Sequence, residues 1–135
     1  MMQYFDTDVL IHFVIKQDLS KHEKSRQLLI KAAEYHTFFI SYLSLNEFAF
    51  VLSKLKVDKE LINKNLDVFL TTSPKDLDQT TFNRARFFAE KVGYVNFSDC
   101  IHTAIAEKYC TELFTFNKND FKKIKKYTDL NINIL

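Results

Sequence analysis

The chain has 135 residues, of which 47% are hydrophobic, and a formal net charge of +2 from 19 basic and 17 acidic residues. This length predicts a single domain over residues 1–135, and the apolar content excludes a disordered chain. With one glycine, the chain cannot form a P-loop or a glycine-rich dinucleotide fingerprint, since both need several glycines.

The first apolar stretch, residues 2–5, predicts a buried strand. It ends at two carboxylates, Asp6 and Asp8, before apolar spacing resumes as a short helix from Val9 to Ile15. Ligands bind at the carboxyl ends of strands in an open α/β sheet. We therefore expect Asp6 to face a site rather than bulk solvent.

A helix is predicted from His22 to Tyr35, followed by a second strand from Thr37 to Ser41. The spacing of Ser44 and Glu47 predicts a capping box that opens a helix to about residue 55. This helix is apolar on nearly all sides, so it is predicted to be buried on two. Glu47 is then either a capping residue or a buried carboxylate that needs a partner, because an isolated buried charge costs several kcal/mol.

The middle of the chain is predicted to be scaffold. Helices are expected at Leu61–Leu70 and Thr80–Val92, with Gly93 as the C-cap of the second. Between them, the break at Pro74 precedes a possible short strand at Lys75–Leu77.

The next helix is expected to start near Ser98, its predicted N-cap, with Asp99 in the first turn. Acidic residues favour first turns because of the helix dipole, so Asp99 is open to either a capping or a functional interpretation. His102 lies one turn further on. It is interpreted either as a surface histidine or as a hydrogen-bond partner of Asp99.

A third strand, Leu113–Phe116, also ends in polar residues, from Asn117 to Asp120. A short basic helix follows, and alternating residues from Leu130 to Leu135 predict an edge strand. Strands separated by helical segments indicate an α/β fold with a parallel sheet covered on both faces.

Five lysines lie within residues 118–126. Such a run is either a solvated helix face or a basic rim that binds the phosphates of a polyanion. On the second interpretation, the lysines that bind phosphate are Lys122, Lys123, Lys125 and Lys126.

Cys100 and Cys110 are predicted to be unpaired, because they lie about 80° apart around one predicted helix. The sequence shows neither a signal peptide nor a stretch of about 20 apolar residues. These features predict a cytoplasmic protein without a membrane anchor.

In a parallel sheet, Asp6, Glu47, Asp99 and Asp120 are all expected at one rim. Crowded carboxylates repel one another and take up protons unless a cation neutralises them. Oxygen-only ligands select Mg²⁺ or Mn²⁺ over zinc. Such a site suits phosphodiester hydrolysis, in which a metal lowers the pKa of the attacking water.

Four segments resemble the motifs of the PIN-domain family, in order and at similar intervals: Phe5–Ile11, Ser44–Phe48, Phe97–Ala106 and Thr115–Phe121. Within that family, the chain is most similar to small ribonuclease toxins of the VapC type. The resemblance implies a three-layer α/β/α sandwich with a parallel sheet of four to five strands. It also implies a Mg²⁺ or Mn²⁺ site, endonucleolytic cleavage of structured RNA, a homodimer and a cognate antitoxin.

The resemblance assigns roles position by position. Asp6, Glu47 and Asp99 match the invariant acids, which are the implied catalytic and metal-binding residues. Asp120 matches the fourth acid, although some members carry an acid where this chain has Asn117. The accessory polar positions are occupied by Asp8 and Thr115.

Two other functions remain open. An aspartate-based phosphatase of the haloacid dehalogenase type also begins with a strand ending in Asp-x-Asp, which would make Asp6 a nucleophile and Asp8 its acid/base. Against this, Val9 stands where glycine is expected, and no suitably spaced lysine and acids follow. The other alternative is a catalytically inactive RNA-binding module, against which the intact set of acids argues.

Overall fold

The computed structural model describes residues 1–135 and contains one four-stranded sheet. Its strands run in the order β2-β1-β3-β4, and every pair is parallel. Their bounds are β1, Gln3–Phe5; β2, Phe38–Phe39; β3, Glu112–Thr115; and β4, Asn131–Ile134. The predicted α/β class and parallel sheet are confirmed.

Seven α-helices cover the sheet. They are α1, Thr7–Val14; α2, Leu19–Glu34; α3, Tyr42–Lys54; α4, Lys59–Leu70; α5, Gln79–Val92; α6, Phe97–Tyr109; and α7, Lys118–Ile124. Short 3-10 helices follow α5 and α7, at Tyr94–Asn96 and Lys125–Tyr127. None of the helices combines the length and apolar character needed to cross a bilayer.

Alternate strand residues pack into two separate cores, one on each face of the sheet. Tyr4 and Leu113 lie side by side and pack with α5, α6 and α7. Phe5 and Phe114, the next pair, pack with α1, α2, α3 and α4. Because successive side chains of a strand point to opposite faces, two neighbouring residues of β1 anchor both helical layers.

The strand order places a topological switch point between β1 and β3. From β1 the chain moves to β2 on one side, and it later returns to β3 on the other. The helices that follow these strands therefore diverge, which leaves a crevice at the carboxyl ends of β1 and β3.

Several predicted boundaries are wrong. Residues 75–77 form no strand, and only a single bridge joins Ser41 to Lys75. Helix α2 begins at Leu19, three residues before the predicted start, because the Asp18 side chain caps it by accepting from the Lys21 amide. Helix α6 begins at Phe97 after Asn96, so Ser98 is not its N-cap.

Candidate active site

A cleft of about 450 Å³ lies at the switch point. We call it the acidic cleft. Its walls come from the loop after β1 with helix α1, from α3, from the start of α6 and from the loop after β3. The lining residues that carry carboxylate or amide oxygens are Asp6, Asp8, Asn46, Glu47, Asp99 and Asn117.

Asp6 and Asp8 lie immediately beyond β1. Asp6 is the N-cap of α1: its Oδ1 accepts from the Thr7 amide at 2.8 Å, and its Oδ2 accepts from Thr115 Oγ1 at 2.8 Å. Asp8 Oδ2 accepts from the Phe116 amide at 3.1 Å. Asp8 Oδ1 is buried and has no partner. Hydrogen bonds from the end of β3 thus hold both carboxylates.

Glu47 lies on α3, one turn beyond the N-terminus, and the capping interpretation of it is wrong. The capping box of α3 is formed instead by Ser41 and Ser44. The Glu47 carboxylate accepts three hydrogen bonds: Oε1 from Thr7 Oγ1 at 2.6 Å and from His102 Nε2 at 2.6 Å, and Oε2 from Ser98 Oγ at 2.9 Å. It is therefore tied to α1 and α6.

Helix α3 is not buried on two sides as its sequence predicts. Phe48 and Leu52 are fully buried, but Phe50 is 62% exposed. Phe50 and Val51 form an apolar wall of the acidic cleft beside Glu47. The second apolar face of the helix thus borders the cleft.

Sequence reasoning missed the role of His102. The interpretation of this residue as a surface histidine is wrong, because it is 1% exposed. Its Nε2 lies 2.6 Å from Glu47 Oε1 and 3.8 Å from Asp6 Oδ1, so its partner is Glu47 rather than Asp99. A signal was available in the neighbouring sequence. Ile105 and Ala106, three and four residues further along α6, are buried on the same face.

Asp99 occupies the first turn of α6, as predicted, and faces the acidic cleft. Asp120 lies in the first turn of α7 and accepts from Asn117 Nδ2 at 2.9 Å, while Asn117 Oδ1 accepts from the Asp120 amide. Asn117 lines the cleft directly, and Asp120 lies behind it, near enough to Asp99 to raise its pKa. The four predicted acids thus meet at one edge of the sheet.

Three of the acids have a raised pKa, which favours their protonated form. Burial raises the pKa of Asp6, against the opposing effects of His102 and Thr115. Burial, followed by repulsion from Asp6, raises the pKa of Asp8 to about 8 and that of Asp99 to about 7. Crowded carboxylates in a poorly solvated cleft lack sufficient compensating positive charge.

Glu47 and His102 form the closest opposite-charge pair of the cleft. Burial opposes ionisation of Glu47, but the hydrogen bond and charge of His102 lower its pKa to about 2. Burial also opposes the imidazolium, yet Tyr4, Glu47 and Asp6 raise the pKa of His102 well above its ordinary value. Of the acids that line the cleft, Glu47 is therefore the most firmly ionised.

The donor set suits a hard divalent cation. The cleft offers carboxylate and amide oxygens with no thiolate, and Asp8 Oδ1 is an unpartnered buried acceptor. As the side chains lie, no three acidic, histidine or cysteine residues are arranged to hold a metal ion.

A second cleft, of about 500 Å³, lies near the carboxyl end of α6. Its main carboxylate, Glu107, already accepts two hydrogen bonds from Arg84, at 2.8 and 3.0 Å, and one from Thr128 at 2.6 Å. The Arg84 guanidinium neutralises Glu107, so this carboxylate does not need a cation. The acidic cleft is therefore the better candidate for a reactive site.

The four lysines predicted to bind the phosphates of the substrate are exposed but do not line the acidic cleft. Lys122 and Lys123 lie in the last turn of α7, whose first turn carries Asp120. Lys125 Nζ donates to the Ile132 carbonyl oxygen at 3.1 Å, so this lysine has a structural partner.

The family model of the PIN domain matches residues 4–127. The chain belongs to the PIN-domain family. PIN domains are generally nucleases that use a divalent metal.

One solved structure similar to this PIN domain is a chain of VapBC2 from Rickettsia felis. That crystal structure contains VapBC2 bound to a DNA fragment from the VapBC2 promoter. The TM-score is 0.72 at 20% sequence identity, and the match covers 100% of this chain and 99% of that chain. The two chains therefore share the fold over their whole length. A comparison with curated protein sequences gives no match.

Proposed function

We propose that this PIN domain is a Mg²⁺- or Mn²⁺-dependent endoribonuclease. The observation that carries the proposal is the crowding of Asp6, Asp8 and Asp99 in one cleft that supplies too little positive charge. A bound cation would neutralise this charge, and burying acids together has no structural benefit that would otherwise explain it.

Asp6, Glu47, Asp99 and Asp120 are the proposed metal-binding and catalytic residues. Bound metal would lower the pKa of an attacking water and stabilise charge on the phosphoryl oxygens. The chain's own contribution is positioning. Thr115, which donates to Asp6, and Asp8, which is held by the Phe116 amide, keep the end of β1 fixed against the end of β3.

The fourth position involves two side chains. Asn117 faces the cleft and donates to Asp120 Oδ2 at 2.9 Å. We propose that Asn117 orients the Asp120 carboxylate and itself reaches the cleft. On this assignment, substitution of either residue weakens the site.

We further propose that the protein is the toxin of a type II toxin–antitoxin pair and works as a homodimer in the cytoplasm. The support is the fold shared with a chain of the VapBC2 complex and the resemblance of its motifs to VapC-type toxins. A cognate antitoxin would cover the acidic cleft. The exposed Phe50, which borders the cleft, offers such a partner an apolar contact.

The purified protein is expected to cleave RNA endonucleolytically when Mn²⁺ or Mg²⁺ is supplied and to stop when EDTA is added, because the acids act through the metal. Cleavage of a panel of structured RNAs, followed on denaturing gels, measures this. RNA binding without cleavage under any metal condition would refute the proposal and favour the inactive module. A phosphorylated Asp6 would favour the phosphatase.

Induced expression, followed by mapping of new RNA 5′ ends, would identify the substrate. The matched control is the same induction with Asp6→Asn. Ends that are present with the natural protein and absent with the variant are the cleavage sites.

Neutralising Lys122, Lys123 and Lys126 to Gln is expected to weaken RNA binding. Each phosphate contact releases counterions, so losing three contacts should reduce the slope of log Kd against log salt by about 2. Binding titrations at several salt concentrations measure this slope. Lys125 is left in place because of its contact with Ile132.

A matched control neutralises Lys24, Lys31 and Lys64, which are exposed lysines on α2 and α4. The same loss of charge away from α7 should leave the slope close to its natural value. Equal slopes for both triple variants would show that the lysines of α7 are only a solvated face.

A further inference from the structure

A hydrogen-bonded network lies beneath the acidic cleft and joins β1, α3 and α6. The hydroxyl of Tyr4 lies 2.6 Å from His102 Nδ1, 2.7 Å from Ser41 Oγ and 3.1 Å from Ser44 Oγ. Tyr4, Ser41 and Ser44 have no exposed surface, and His102 is 1% exposed. The network is therefore closed to solvent, and its one contact with the cleft is the hydrogen bond between His102 and Glu47.

The direction of these hydrogen bonds follows from Glu47. An ionised carboxylate only accepts, so His102 Nε2 must carry the proton that it donates to Glu47 Oε1. The imidazolium that forms the ion pair with Glu47 also carries a proton on Nδ1, which it donates to the Tyr4 hydroxyl oxygen. Tyr4 in turn can donate to Ser41 Oγ or Ser44 Oγ at the start of α3. The tyrosine thus fixes the orientation of the imidazole ring.

We propose that Tyr4 and His102 are positioning residues that hold the Glu47 carboxylate at the acidic cleft, where it takes part in metal binding. This inference rests on the proposed function and adds two residues to it. His102 acts on Glu47 directly, and Tyr4 acts through His102. Neither lines the acidic cleft.

A purely structural role explains the network less well. Tyr4 packs among apolar side chains, where phenylalanine would fill the same space without a buried hydroxyl that needs partners. The hydroxyl instead has three partners, one of which ends at the cleft. Groups that orient metal ligands in this way typically change metal affinity or activity about 10- to 100-fold when they are replaced.

Two substitutions of His102 separate positioning from packing. In place of a histidine, Gln can present an N–H where Nε2 stood, whereas Asn matches only the nearer Nδ1. His102→Gln therefore retains the donor to Glu47, and His102→Asn loses it. Both remove the ring to a similar extent, so a packing role predicts similar effects.

The experiment titrates Mn²⁺ into the full chain by calorimetry. It also measures kcat and KM for the RNA substrate that the mapping of 5′ ends identifies. We expect Tyr4→Phe and His102→Asn to weaken Mn²⁺ binding about 10-fold or more and to lower kcat while KM for RNA is retained. His102→Gln keeps the donor to Glu47, so its Mn²⁺ affinity and its kcat should stay within about threefold of the natural values. Thermal unfolding checks that each variant is folded.

Ser25→Ala is the control for loss of a buried hydroxyl. Ser25 lies on α2, is fully buried and has no hydrogen-bond partner, so its removal should leave Mn²⁺ affinity unchanged. Unchanged or tighter Mn²⁺ binding in Tyr4→Phe, or equal losses in His102→Gln and His102→Asn, would overturn the inference. If the natural protein neither binds Mn²⁺ nor cleaves RNA, the proposed function itself fails.

Discussion

Replacing Asp6 with asparagine is expected to abolish RNA cleavage while the protein stays folded. Asparagine has the same shape, and its amide oxygen can still accept from the Thr7 amide at the start of α1. It cannot supply the negative charge that a metal ligand requires. A fall of at least about 1000-fold in kcat/KM is expected, which corresponds to about 4 kcal/mol of lost transition-state stabilisation.

The stability of the metal-free variant should not fall, because Asp6→Asn removes a buried charge that repels Asp8 and Asp99. Urea unfolding without metal measures this, alongside cleavage rates with Mn²⁺. Asp99→Asn should behave in the same way. Asp67→Asn, an exposed substitution on α4, is the matched control and should leave both quantities unchanged. Undiminished cleavage by Asp6→Asn would contradict the assignment of the site.

The sheet could be predicted from the sequence because each strand is a short apolar run bounded by polar residues. Parallel pairing followed from the helices between the strands, and the residues after β1 and β3 were placed correctly at one edge. The end of β2 and the segment after Pro74 were less predictable. There, a single tertiary bridge between Ser41 and Lys75 replaces a strand.

Asp6 and Asp99 could be placed from local sequence, since one follows a strand and the other opens a helix. The environment of Glu47 could not, because its three donors come from residues 40 to 55 positions away. Local spacing favoured a cap at Ser44, whereas the helix begins two residues earlier with Ser41 as its cap. Because the capping motif lies three residues earlier than predicted, Glu47 has no capping role, and its half-buried carboxylate lines the cleft.

His102 and Tyr4 show the same limit more sharply. A tyrosine in a buried strand and a histidine on a helix are each ordinary, and nothing in the sequence indicates that they meet. Their contact spans 98 positions and depends on α6 packing against the face of the sheet on which the Tyr4 side chain lies. A buried tyrosine hydroxyl does need a partner, which is the sequence signal that Tyr4 itself offers.

Without metal, the stability of the protein is expected to decrease as the pH rises from about 5 to 8. In the unfolded chain a carboxyl group titrates near its ordinary pKa of about 4. Burial and repulsion from Asp6 raise the native pKa of Asp99 to about 7 and that of Asp8 to about 8. The native state therefore retains protons that the unfolded chain has lost. Each retained proton lowers the free energy of unfolding by up to about 1.4 kcal/mol per pH unit.

The Glu47–His102 pair does not reverse this trend. Glu47 has a lowered pKa, so its contribution is complete above its ordinary pKa and is lost only as the pH falls toward 2. His102 has a raised pKa, so its contribution is complete below its ordinary value and is lost as the pH rises through the raised one. Between pH 5 and 8, the contribution of Glu47 to stability is constant, and the contribution of His102 falls, which adds to the decrease in stability.

Added Mn²⁺ is expected to oppose this loss increasingly toward pH 8. Metal binds the ionised carboxylates and displaces their protons, so its affinity rises with pH, and binding to the native state alone stabilises it. Thermal unfolding at pH 5, 6, 7 and 8, with EDTA or with Mn²⁺, measures both effects. Asp99→Asn should make the metal-free profile less steep, because one of the two groups that retain a proton is gone and only Asp8 remains. A metal-free stability that rises from pH 5 to 8, or an Mn²⁺ effect that shrinks with pH, would show that these acids do not act together as a cation site.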